Sequence, residues 1–283
     1  MYNLRYHIVS LVAVFLALTV GLLLGSIVVE RGLLSSQQTT LVQGLQSEFD
    51  SLRTESAGLR TENAALRAFS DEVAPVTLQG VLAGRTILVL ASTEAADTAA
   101  QASEAARLAG GTVAVATLSA PSLALSDPAV LTAVASALGV STSSVDATRV
   151  IGVLAAEWTT PGDPRTLTRA MAAAGSLKLA GLGATATADG IAVAAAFGGI
   201  PDQAAIGLAR AMAGPTRFAV GVGTTNREDG VAAAARIAGL SGVDNVDTPV
   251  GRVSFAWVLS GRASGYFGLG EGTTPYPSPL FGK

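Results

Sequence analysis

The chain has 283 residues, of which 49% are hydrophobic and 14% charged, with a formal net charge of −3. An average soluble domain carries about 25% charged residues, and the lack of any basic block argues against nucleic acid as a partner. With no cysteine and a single histidine, His7, disulfides, thiolate metal sites and an extracytoplasmic Ser-His-Asp triad are excluded.

Residues 8–29 contain no charged side chain and span roughly 33 Å as a helix, enough for a bilayer core. A cleavable signal peptide is the alternative, but the stretch exceeds a typical apolar core of one and no clear A-x-A site follows. Arg5 precedes the segment, while Glu30 and Arg31 cancel after it. That bias predicts a single-pass cell-membrane protein with a cytoplasmic N-terminus and an extracytoplasmic bulk. Ala13, Ala17, Gly21 and Gly25 recur every fourth residue on one helix face, the spacing of close helix packing in membranes. Small residues are common in such helices, so the pattern alone only hints at a dimer.

The next segment carries the stronger signal. Leu45, Leu52, Leu59 and Leu66 repeat every seven residues as d positions, with Val42, Phe49, Ser56 and Asn63 at a. The g positions are Glu48, Glu55 and Glu62, and the e positions are Arg53, Arg60 and Arg67. In a parallel dimer g faces the following e of the other chain, so Glu48–Arg53, Glu55–Arg60 and Glu62–Arg67 all pair with opposite charge. An antiparallel homodimer sets Glu against Glu and Arg against Arg. A solvated amphipathic helix packed on its own domain is the alternative, and it leaves the e/g segregation unexplained. Asn63 at an a position favours two strands in one register. The predicted stalk, residues 33–72, ends before Pro75.

From residue 80 the pattern becomes alternating β and α. Strands are expected at 86–90, 112–116, 177–182, 191–197, 218–222 and 253–259. Helices are expected at 94–109, from Asp127-Pro128, from Asp163-Pro164, at 203–212 and at 227–238. This order predicts an α/β domain, residues 80–260, with a mostly parallel sheet flanked by helices. Residues 261–283, with Pro275, Pro277 and Pro279, read as an irregular tail.

Candidate chemistry is sparse. Gly221-Val222-Gly223-Thr224-Thr225-Asn226 lies between a predicted strand and helix, the context of a phosphate-binding turn. A third glycine is missing and no suitably spaced acidic partner stands out, so a plain strand-to-helix turn is the preferred reading. Asp244, Asn245 and Asp247 form an oxygen-rich loop that could touch a cation, but an Asx-rich turn is the better reading. Glu157, Asp163, Glu228 and Asp229 have no spacing that separates them from caps and solvated surface. No catalytic residue, metal site or cofactor is therefore assigned, and the chain is read as a non-enzyme.

Arg5-Tyr6-His7-Ile8-Val9-Ser10 with Gly21 and Gly25-Ser26, Gly84-Arg85, Ala109-Gly110-Gly111, Val243 through Arg252 and the tail around Tyr266 together resemble an actinobacterial family. It is the family named for the mycobacterial copper transport protein MctB, and a corynebacterial branch, the cell-separation protein SteB, is also similar. The resemblance implies copper transport by the family name. By the corynebacterial branch it implies a membrane partner of SteA type and control of a peptidoglycan hydrolase. The residues themselves lack the soft or imidazole donors copper prefers, and one helix per chain encloses no pore. The expected function is thus a dimeric envelope scaffold regulating cell separation, with copper transport or tolerance as the alternative.

Overall fold

The computed structural model describes residues 4–30, 33–225, 230–270 and 272–278. The chain divides into two compact units, Met1–Leu66 and Arg67–Lys283.

In the first unit, α1 (Leu4–Glu30) includes a span, Arg5–Ile27, of mean hydropathy 2.7. It is long and apolar enough to cross a membrane, a test that a signal sequence near an N-terminus also passes. Two of its hydroxyls are satisfied inside the helix: Thr19 donates to the Phe15 carbonyl and Ser26 to that of Leu23. This is how polar side chains persist in an apolar span. Most of α2 (Leu33–Leu78) also lies in this unit.

The second unit begins with the last turns of α2. The helix runs through Pro75 to Leu78, beyond the stop expected from that proline. Ala74 and Leu78 are buried in the domain core, so apolar packing holds the final turn despite the missing N–H. There follow β1 (Thr86–Ser92), α3 (Ala96–Leu108), β2 (Thr112–Leu118), α4 (Pro128–Leu138), α5 (Ala147–Thr159) and α6 (Thr166–Ala173). The chain continues through β3 (Leu177–Ala180), β4 (Gly190–Ala194), β5 (Ala196–Phe197), β6 (Ile200–Pro201) and α7 (Gln203–Met212). It ends with β7 (Phe218–Val222), α8 (Val231–Ile237), β8 (Ser241–Val243), α9 (Pro249–Ser260) and β9 (Tyr266–Phe267).

Seven strands form one sheet in the order β3-β2-β1-β4-β7-β8-β9. All neighbours are parallel except β2 and β3. Successive residues of β1 serve opposite faces. Leu88 and Leu90 join α4, α5, α6 and α7 in one core, while Ile87, Val89 and Ala91 join α3, α9 and the end of α2 in the other. Two covered faces explain why the central strands read as unbroken apolar runs.

Several expectations need correction. Residues 253–259 are not a strand but the body of α9. Thr248 caps that helix by accepting from the Gly251 N–H, Pro249 occupies its first turn, and Gly261 ends it in the left-handed region. A fully buried helix shows no period that separates it from a buried strand. The tail from residue 261 is not wholly irregular, since Tyr266 and Phe267 add the seventh strand beside β8. The run 191–197 breaks at Ala194, and Ala196–Phe197 turns through Gly198-Gly199 into a hairpin with β6. Helix α5 was not anticipated. Its signal was present as Asp146, which accepts from the Arg149 N–H, followed by Val150, Leu154 and Trp158 on one buried face. The helix expected from Asp163-Pro164 starts at Thr166, with Arg165 left-handed before it.

Asp202 occupies a tight site at the start of α7. One carboxylate oxygen accepts from the Ala204 N–H at 3.0 Å and the Ser122 N–H at 3.3 Å; the other is buried without a partner. Ser122, Leu123 and Ala124 all have positive φ, a conformation costing about 1–3 kcal/mol per residue, and burial of Leu123 holds it. Burial pushes the Asp202 carboxyl above its ordinary value of 3.8, against the lowering effect of its N–H donors. The folded state therefore holds the proton more tightly than the unfolded chain. Its stability contribution is full below 3.8 and declines as pH rises through the raised folded value. The stability of the native chain minus that of Asp202→Asn is expected to fall as pH rises above 3.8, as checked by denaturant titration in micelles. A pH-independent difference contradicts this.

Candidate functional site

The a and d residues named from the heptads lie on the unbroken helix α2. Val42, Leu45, Phe49, Leu52, Leu59 and Leu66 are each between 52% and 62% exposed. A row of large apolar side chains at this exposure, on a helix with charged flanks, is an apolar stripe that another surface can cover. Asn63 donates to the Leu59 carbonyl at 2.9 Å, and Arg53 lies 3.8 Å from Asp50 on its own helix. That ion pair is solvated on both sides and worth little. Glu48, Glu55, Arg60, Glu62 and Arg67 are exposed, as is Ser56 in part. On α1, Ala17, Gly21 and Gly25 line a shallow groove along one helix face, and Ala13 precedes them one turn earlier.

The turn after β7 has a structural explanation for its first glycine. A Cβ on Gly221 would lie 2.3 Å from the Ala235 Cβ and 2.9 Å from the Val231 carbonyl oxygen. The absent side chain lets α8 lie directly on β7. Gly221→Ala is expected to cost about 1–3 kcal/mol through overpacking, seen as a lower denaturation midpoint; unchanged stability would mean that α8 can lift off freely. A Cβ on Gly223 would meet Asp244 only at ordinary contact distance, 3.5 Å from its Cα. Asn226 lies outside the described residues.

Beside this turn is a cavity of about 440 Å³ whose lining includes Thr224, Asp244, Asn245, Tyr266 and Leu269. Asp247 accepts from the Thr225 N–H at 2.9 Å and from its hydroxyl at 2.5 Å. Asp244 accepts from the Leu269 N–H at 3.2 Å and hydrogen-bonds the Tyr266 hydroxyl. Both carboxylates thus act as turn acceptors. Burial, then the Asp244 charge, raises the Tyr266 phenol above its ordinary value. Among the described lining residues there is no arginine or lysine. Sequence reasoning did not join Asp244 to Tyr266, because β8 and β9 meet only through sheet pairing.

Soft metal donors are few. Met171 and Met212 are buried in the apolar core, and His7 lies on α1. Among the described residues, no group of three or more His, Cys, Asp or Glu is placed to hold a metal ion. A family model described as copper transport outer membrane protein, MctB, matches residues 1–277.

The chain belongs to the MctB family.

No curated protein and no solved structure matches it. Membership relates the chain to membrane copper transport, and α1 supplies a helix suited to a membrane anchor. If copper is the cargo of the MctB family, the described side chains of this member do not form the thiolate, thioether or imidazole cluster that would carry it.

Proposed function

We propose that this MctB-family chain is a membrane-anchored, non-enzymatic scaffold of the cell envelope that acts as a parallel homodimer. The observation that carries the reading is the exposed heptad stripe on α2, flanked by Glu at g and Arg at e. Such a surface buries its apolar row only against another helix, and the charge segregation favours a second copy in parallel. In this reading α1 spans the membrane from a cytoplasmic N-terminus, with Ala13, Ala17, Gly21 and Gly25 supporting the helix pair. The α/β domain stands outside the cytoplasm. It regulates cell separation by recruiting or activating a peptidoglycan hydrolase together with a membrane partner of SteA type.

The second reading is copper transport or tolerance, favoured by the family match over residues 1–277. Microscopy and growth of a deletion strain across a copper series separate the two. Chains of unseparated cells at every copper level are the expected result. Normal separation, with growth failing only at raised copper, would favour copper handling and place the metal donors in a partner.

A further inference from the structure

The heptads do not stop at Leu66. Seven residues on, Val73 takes the next d position, and Phe69 and Ala74 take the next g and e. All three lie on α2, which is helical to Leu78. Pro75 falls at f, the position turned furthest from a partner helix. Here the charge code changes: three heptads carry Glu at g and Arg at e, whereas this one carries Phe at g and Ala at e. Beside these residues is a largely apolar groove of about 240 Å³. Its described lining includes Phe69, Val73 and Ala74 of α2, Val250 and Val253 of α9, and Tyr276. Ala74 is buried, but Phe69 is 66% exposed, Tyr276 48% and Val250 36%. The groove therefore sits on the heptad face of α2, and its other wall comes from α9 and the tail. A cavity of about 150 Å³ already accepts a benzene ring, so this one has room for an aromatic side chain.

We propose that this groove is the docking site of a second copy of the chain, filled by the partner's Phe69. In a parallel pair g faces the following e of the other helix, so the Phe69 ring of each copy meets Ala74 of the other, in the groove between α2 and α9. The contact is apolar on both sides and takes the place of the Glu–Arg pairs in the preceding heptads. Two-fold symmetry makes it twice. The interface then runs from the stalk into the α/β domain and takes in α9 and Tyr276, which belong to no heptad. The proposal rests on the parallel-dimer reading of α2 and adds to it a surface outside the coil.

The test is sedimentation of the full chain in matched-density detergent. Val250→Glu changes a residue in the first turn of α9, outside every heptad. An acidic side chain is favoured there by the helix dipole, and circular dichroism checks that the fold is kept. This variant is expected to weaken the dimer at least tenfold, as is Phe69→Ala. Ile237→Glu, at an exposed position on α8, is the control and should leave the dimer unchanged. The chain has no cysteine, so introduced thiols report contacts cleanly. Chains carrying Phe69→Cys, co-expressed with tagged chains carrying Val250→Cys, are expected to be joined to one another by a short bismaleimide. Native-strength dimerisation of Val250→Glu, or absence of the mixed cross-link, would give the groove to another occupant and overturn the proposal. If reversal of Arg53, Arg60 and Arg67 still dissociates the chain in that case, the parallel coil stands and only the groove assignment falls. A native chain that sediments as a monomer would overturn both.

Discussion

Changing Arg53, Arg60 and Arg67 together to Glu is expected to convert the proposed dimer into monomer. Each g–e contact then sets Glu against Glu, and two-fold symmetry repeats each of the three contacts. An exposed pair contributes about 0.3–0.5 kcal/mol, and a like-charge pair opposes by a similar amount. The summed change is roughly 3–6 kcal/mol, or two to four orders of magnitude in the dimer constant. Sedimentation in matched-density detergent reads it directly. Raising salt should restore part of the association, because exposed charges are screened. Mixing this variant with one carrying Glu48, Glu55 and Glu62 as Arg should restore pairing between the two chains, since every contact is then opposite in charge again. A triple variant that stays dimeric at low salt would sink the parallel coiled coil. Cells carrying the monomeric variant are expected to remain unseparated; normal separation would detach dimerisation from function.

The second large effect concerns the domain core. Glu157 is 5% exposed, and its carboxylate accepts from the Leu167 N–H at 2.6 Å, the Thr168 N–H at 2.8 Å and the Thr168 hydroxyl at 2.6 Å. It caps the start of α6 from the last turns of α5. Trp158 donates its indole N–H to the same Thr168 hydroxyl at 2.9 Å. Arg165, also buried, donates to the carbonyls of Leu182, Ala186 and Glu157, tying the loop after β3 to this corner. Glu157→Ala strands several buried donors at once, an expected cost of about 3–5 kcal/mol. For a domain of this size that is roughly a 6–20 °C fall in melting temperature. Glu157→Gln keeps one acceptor oxygen and should cost less. Circular dichroism melts with tryptophan fluorescence check both, because Trp158 reports on the same corner. A fall below about 3 °C would mean that water replaces the carboxylate, against the burial seen here.

The two units differ in how much of them could be read without coordinates. The apolar span, the heptads and the e/g charges are periodic and local, so Leu45 to Leu66 and Arg53 to Arg67 are legible as they stand. In the α/β domain, Asp127-Pro128 before α4 and Gly110-Gly111 after α3 mark element ends by their own backbone chemistry. Strand β7 and helix α7 likewise lie where the pattern places them. Val253 to Leu259 failed because a helix buried on most sides loses its amphipathic period; Thr248, Pro249 and Gly261 were the better guide. Tyr266 and Phe267 failed for another reason. A two-residue strand has almost no local signal and exists because β8 offers it an open edge.

What the sequence by itself determined is the apolar helical span, the long helix α2 with its heptad and charge pattern, and the alternation of strand and helix, since each depends on neighbours within about one or two turns. Tertiary structure alone decided three things. It set the strand order, brought Asp244 to Tyr266 across a cavity, and assigned Gly221 to helix packing. These depend on side chains far apart in the chain meeting across a sheet, and no local period records such meetings.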